Sequence, residues 1–273
     1  MKLLGKALTY LILSLAVLGA LIPVVWLVLA SLRPSDQVFS ANPFAIANPT
    51  LDNYTELKGL TSPEYLRSLY NSIFLACSGV ILQLFFCSLA GYALAKYEFK
   101  GKKVLMGIQL VTVFIPGAVT LGPGYQLMYQ LGLVDTYAGM LIGAAGNVFG
   151  IFLFRQAIMG VPDELMNAAR IDGSSEFGIY WNIIMPIVRP MTGAFCLLTF
   201  MGSWNSLLWP SMMLQSSAHH TLPIALASLV GLYSQKYGMM MAGTFVMVLP
   251  VVALFLVLQK EFISGLTSGA VKG

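Results

Sequence analysis

The stretch NAARIDGSSEFGIYWNIIMPIVRP, Asn167–Pro190, lies between two apolar runs of membrane-spanning length. It is neither short nor frankly polar, as a plain connection between spans would be. Upstream, Pro162 suits a first helical turn, where its missing N–H costs nothing, and Asp163 and Glu164 favour the positive end of a helix dipole. Leu165, Ala168, Ala169 and Asp172 recur at helical spacing. Gly173 supplies a left-handed stop. Ser174 is placed to cap a second helix with Glu176 in its first turn. Phe177, Tyr180, Trp181 and Ile184 then form an apolar stripe at i, i+3, i+4, i+7, and Pro186 and Pro190 break the pattern. The spacing predicts two capped helices within a loop over 160–189.

Composition says what surrounds that loop. The chain has 273 residues, 58% hydrophobic and 10% charged, against about 25% charged in a soluble domain. It therefore reads as an all-α membrane protein forming one domain. Uncharged runs place six spans near 7–30, 70–95, 104–122, 137–154, 190–212 and 240–259. Lys and Arg favour the cytoplasmic side. With both termini cytoplasmic, eleven of the fifteen lie inside, leaving Arg33, Lys58, Arg67 and Lys236 outside. The loop 160–189 is then cytoplasmic. The first span exceeds a signal-peptide core and lacks a clear cleavage site, so it is expected to remain as an anchor. A net charge of +4 without a basic, aromatic-interleaved patch gives no case for nucleic acid. Cys77, Cys87 and Cys196 lie in apolar runs and read as buried small hydrophobes. The adjacent His219 and His220 lack the carboxylate or thiolate company of a metal site.

The loop resembles the EAA loop of ABC-importer permease subunits, E-A-A-x-x-x-G followed by an apolar stretch and prolines. Here it runs Asn167-Ala168-Ala169-Arg170-Ile171-Asp172-Gly173, then Ile184-Met185-Pro186 and Pro190. The stretches FGIFLFRQAIMGVPDEL (149–165), MGSWNSLLWP (201–210), TLPIALASL (221–229) and GLTSGAVKG (265–273) resemble the maltose-type carbohydrate-uptake branch. The resemblance covers nearly the whole chain and implies a type I importer permease fold in a bacterial or archaeal cytoplasmic (inner) membrane. It implies a second, paralogous permease, two ATP-binding subunits and an extracytoplasmic solute-binding protein as partners, besides the lipid bilayer.

By the same resemblance the first loop helix is a coupling helix, with Glu164, Asn167, Ala168, Ala169, Asp172 and Gly173 meeting the ATPase. Gly269 and Lys272 reach the ATPase interface from the tail. Asn167 departs from the family's Glu and brings no charge to a salt bridge; Glu164, one turn earlier, is the nearby substitute. No G-x-x-x-x-G-K-[ST] loop is present, so ATP and Mg belong to the partner and this chain is a non-catalytic subunit without a cofactor. Transport is implied to proceed by alternating access.

Polar groups within spans need a reason. Trp204 and Asn205, with Asn147 and Gln83, are the candidate substrate pathway; interhelical hydrogen bonding and core packing are the alternative. No formal charge lies within the six spans, which suits a neutral, hydroxyl-rich solute: a sugar, an oligosaccharide or a related glycoside. Gly139, Gly143, Gly146 and Gly150 are spaced to share one helix face, for contact with a second permease or within the bundle. A stand-alone secondary transporter of small polar solutes is the alternative function, distinguished by a proton gradient in place of ATP. A membrane enzyme would need a catalytic constellation, and none is found.

Overall fold

The computed structural model describes residues 2–39, 42, 44, 48–59, 62–229 and 236–268. Every regular element among them is helical. In chain order these are α1 (Lys2–Ser31), a 3-10 turn at Ser35–Gln37, α2 (Asp52–Gly59), α3 (Ser62–Lys96), α4 (Lys102–Val113), α5 (Gly117–Gln130), α6 (Tyr137–Ala144) and α7 (Val148–Met159). There follow α8 (Asp163–Ile171), α9 (Glu176–Ile179), a π-helical turn at Tyr180–Ile184, α10 (Met185–Ile187), α11 (Arg189–Trp204), α12 (Leu208–Met213), α13 (Leu222–Leu229) and α14 (Tyr237–Ser268).

Among the described residues, three helices are long and apolar enough to cross a bilayer alone: Gly5–Ser31 in α1, Glu64–Lys96 in α3 and Tyr237–Glu261 in α14. Three more candidates are bent pairs: α4 with α5 at 107°, α6 with α7 at 44°, and Glu176–Ile187 with α11 at 82°. Counting each pair as one span gives six. The bends interrupt 104–122 and 137–154, expected as continuous helices; 190–212 is broken instead at 205–207, between α11 and α12, and the 82° bend lies just ahead of it. The causes are local. Ile115 precedes a proline, which disfavours helical backbone at its position, and Pro116 itself takes an extended ψ of 130° without capping α5 by a side chain. Asn147 is extended (φ −134°, ψ 107°) and caps α7 by accepting from the Gly150 N–H. That break also parts Gly139 and Gly143 from Gly150, so the four glycines do not form one continuous face. Ahead of α11, Val188 leaves the helical region at ψ 13° and Pro190 sits in the first turn.

The chain forms two compact units, 1–67 with 224–250, and 68–223 with 251–273. In the first, α1 is exposed from Gly5 through Val25. Asn53 holds the end of that helix, its Nδ2 donating to the carbonyls of Ser31 at 2.8 Å and Arg33 at 2.7 Å. The Tyr65 hydroxyl donates to the Gly243 carbonyl at 3.0 Å. In the second, a core of Cys87, Phe154, Ile158, Ile179, Tyr180, Ile184 and Phe195 joins α3, α7, the π turn and α11. Gly91 permits the close crossing of α3 and α7: a Cβ there would lie 2.7 Å from the Phe154 Cβ and 2.9 Å from the Arg155 backbone nitrogen.

Candidate functional site

Two parts of the second unit carry the residues of interest. The first is the hairpin of α8 and α9. Pro162 is the N-cap of α8 and lies outside the helix, with φ −60° and ψ 135°. The helix ends in a Schellman motif: Gly173 N–H donates to the Arg170 carbonyl at 3.1 Å and Ser174 N–H to that of Ala169 at 2.9 Å. Gly173 has φ +82°, and a Cβ there would meet nothing within 4 Å. Its requirement is thus conformational. Ser175, one residue past the expected Ser174, caps α9 by accepting from the Gly178 N–H.

The faces of α8 divide sharply. Met166 and Ala169 are buried in the core, whereas Glu164, Leu165, Asn167, Ala168 and Asp172 are exposed. Ile171 is 87% exposed. Ala168 and Ala169 therefore serve different faces, one exposed and one buried. In the next helix Tyr180 and Ile184 are buried, but Phe177 and Trp181 point outward and stack on each other at 6.5 Å. Ile179, the last residue of α9, is buried beside Tyr180, and the π turn that follows, wider than an α turn, splits the stripe that 3.6-residue spacing predicts.

Charged groups bind this hairpin together. Arg170 donates to Glu176 through Nε at 2.7 Å and Nη2 at 3.2 Å, and through Nη1 to the Asn167 Oδ1 at 2.9 Å. The Tyr97 hydroxyl donates to the same Glu176 carboxylate. Lys96 reaches the Asp163 carboxylate at 2.5 Å. Asn167 thus has its side-chain oxygen engaged within the chain, leaving its NH2 to donate outward.

The second part is a cavity of about 350 Å³ between α3, the α6–α7 break, α11 and α12. Gln83, Asn147, Thr199, Ser203, Ser206 and Trp209 line it, with Gly143, Ala144 and Gly202 keeping it open. No acidic or basic side chain is among the lining residues. The Asn147 Nδ2 donates to the Gln83 Oε1 at 3.1 Å. Thr221, also at the wall, has a buried hydroxyl without a partner.

The family described as "Binding-protein-dependent transport system inner membrane component" matches residues 87–261. The chain belongs to that family. The permease is 39% identical over 256 residues to the arabinooligosaccharides transport system permease protein AraQ of Bacillus subtilis (strain 168), covering 93% of this chain and 91% of that protein. It is 32% identical over 263 residues to the lactose transport system permease protein LacG of Rhizobium radiobacter, covering 96% and 95%. Its fold matches a chain of a bacterial ABC transporter involved in the import of the acidic polysaccharide alginate, with TM-score 0.83 at 24% identity over 95% of this chain and 96% of that one.

In the permease, the candidate pathway residues separate. Gln83 and Asn147 meet at the cavity wall, while Trp204 and Asn205 are not among its lining. Trp204 is 1% exposed and stacks on Phe200 at 5.4 Å, and Asn205 donates back to the Met201 carbonyl at 2.9 Å. Thr199 and Ser203 on α11, and Ser206 just past its end, face the cavity instead; the four-residue spacing of Thr199 and Ser203 is the signal the sequence carries. Gly269 and Lys272 lie outside the described residues. Among the described residues no group of three or more His, Cys, Asp or Glu is placed to hold a metal.

Proposed function

We propose that this chain is one permease subunit of an ATP-driven importer for a neutral carbohydrate, an oligosaccharide or a related glycoside, forming half of the translocation pathway. The observation that carries the reading is the rigid, capped α8, with Leu165, Ala168 and Ile171 exposed on one side and Met166 and Ala169 packed on the other. An apolar ridge on a helix held at both ends is what a motor subunit can grip. In this reading 1–273 is a single permease domain of six spans with both termini cytoplasmic, and α8 is the coupling helix. Its docking face uses Glu164, Asn167, Ala168 and Asp172. Gly173 sets its exit, and Ala169 seats it on the bundle.

Two ATP-binding subunits supply hydrolysis and hold ATP and Mg. A second permease completes the pathway, and an extracytoplasmic binding protein delivers the solute. Support for the carbohydrate comes from the relatives' arabinooligosaccharide and lactose transport and from an uncharged cavity wall of amides, hydroxyls and an indole. Such a wall suits hydroxyl recognition with an aromatic platform. Gln83, Asn147, Ser203, Ser206 and Trp209 are the groups proposed to meet the solute, and Trp204 and Asn205 shape α11 behind them.

The test is purification of the chain, tagged in an external loop, from its own membranes in mild detergent. Co-purification with an ATPase and a second permease, and uptake in proteoliposomes that needs ATP inside, are the expected results. A chain that purifies alone and transports on a proton gradient overturns the reading in favour of a secondary transporter.

A further inference from the structure

The α8–α9 hairpin is attached to one face of α3 at successive turns. Ser88, Tyr92 and Lys96 are four residues apart and so lie on one side of that helix. The Ser88 hydroxyl shares a buried hydrogen bond of 2.7 Å with the Tyr180 hydroxyl. The Tyr92 hydroxyl donates to Glu176 at 3.4 Å, and Tyr97, just past the helix end, donates to the same carboxylate. Lys96 closes the row: its ammonium donates to the Val161 carbonyl and to the Asp163 carboxylate, both at 2.5 Å. Its side chain is 6% exposed although its partner Asp163 is 73% exposed, so the cation is held in place rather than free to wander.

The two ends of α8 are thus fixed separately. Asp163 in its first turn is held by Lys96. Arg170 in its last turn is held through the two-point contact with Glu176, which the tyrosines tie to α3. Both charges also lie at the helix ends where the dipole favours them. A planar guanidinium–carboxylate fork resists rotation in a way that a single contact does not.

The other exits from the hairpin are more compliant. Toward α11 the chain passes a π turn and the 82° bend at Val188. By contrast, α3 is unbroken from Ser62 to Lys96, and thirteen residues up from Lys96 it carries Gln83 at the cavity wall. At about 1.5 Å per residue that is roughly 20 Å of stiff lever.

We infer that Lys96 and Glu176 are positioning residues that clamp both ends of α8 to the end of α3, so that the hairpin and α3 move as one body and displacement of α8 reaches the cavity through α3. This rests on α8 being the helix gripped by the ATPase. In the complete transporter in proteoliposomes, with Cys77 replaced by Ser, three measurements separate the two ideas. Cross-linking from Ile171→Cys to the ATPase reports docking; its absence in the otherwise native complex overturns the docking reading itself. Solute moved per ATP reports transmission. In Lys96→Met/Glu176→Gln the cross-link and ATP hydrolysis are expected to persist while solute per ATP falls roughly tenfold, the scale of losing a small coupled network. The conservative Lys96→Arg with Glu176 retained, which keeps a cation able to donate to both the Val161 carbonyl and the Asp163 carboxylate, is expected to keep most of it.

The third measurement needs no weakened clamp. Spin labels at Phe177→Cys on α9 of the hairpin and Ile81→Cys on α3, both exposed positions, are expected to hold one distance through the ATP cycle. Retained docking with unchanged solute per ATP in the double variant, or a label distance that changes with nucleotide, overturns the inference. Should the double variant fail to assemble, the label distance decides.

Discussion

Asn147 holds two helices at once: its Nδ2 donates to the Gln83 Oε1 at 3.1 Å, and its Oδ1 accepts the Gly150 N–H at 3.1 Å. The first bond crosses to α3, and the second caps α7. Asn147→Ala removes both, and loss of a cap alone costs about 1 kcal/mol. Asn147→Asp keeps the cap but replaces a donor with a carboxylate facing the Gln83 oxygen. The expected result is a lowered melting temperature for the Ala variant, measured in detergent. The Asp variant should be distinguished by a larger fall in uptake than in stability.

Gly173→Val places a β-branched residue at φ +82°. Left-handed backbone costs such a residue roughly 1–2 kcal/mol, and relief would come by rebuilding the α8 exit. Normal membrane insertion with abolished uptake is expected, and Gly173→Asn, which tolerates that backbone, should retain much of it. Uptake at the native rate by the Val variant would show that the exit angle of α8 does not matter.

Gly91→Leu tests the α3–α7 crossing. Its Cβ would face the Arg155 backbone nitrogen at 2.9 Å, which cannot rotate away. Overpacking of this kind costs about 1–3 kcal/mol, to be read as a thermal shift. Gly107→Leu, at a position where a Cβ meets nothing within 4 Å, serves as the control and should shift little.

Asp135, at φ +59°, accepts from the backbone N–H groups of Gln215 and Ser216 at 2.9 and 3.1 Å. Its Oδ1 also lies 3.1 Å from the His219 Nδ1. Burial alone would raise its pKa, but the Ser216 N–H and hydroxyl, the His219 ring and the Gln215 N–H outweigh that and bring it to about 2. A depressed carboxylate stabilises fully above its unfolded value of about 4 and loses that contribution as pH falls through its folded value. Relative to the intrinsic rate at each pH, hydrogen exchange at the Gln215 and Ser216 amides should therefore accelerate on acidification from about 4 toward 2. In Asp135→Ala it should be fast already at neutral pH. Protection that persists in the Ala variant would show that other contacts hold this segment.

The sequence revealed what depends on a single residue's backbone preference or on long apolar runs. Gly173 as a left-handed stop, the acidic first turn of α8 and the unbroken α1, α3 and α14 were readable this way. Features set by partners distant in the chain were not. Nothing near Trp204 tells that it turns from the cavity to stack on Phe200, since that depends on which face of α11 meets the bundle. The π turn at Tyr180–Ile184 is equally silent, because an extra residue per turn is stabilised by packing around Ile179 and Ile184 rather than by local propensity. The bends at Ile115–Pro116 and Asn147 carried signals, a proline and a capping residue, but the apolar runs that contain them look continuous.

The kink between α4 and α5 limits how this chain can exist. Pro116 leaves the first turn of α5 without a side-chain cap, and Phe114 beside it is 85% exposed. Acyl chains offer no hydrogen bonds to an interrupted backbone. Such an interruption is comfortable only against protein or trapped water. Left against acyl chains, the first N–H groups of α5 would go unmet, so the main chain itself calls for protein or water at this point.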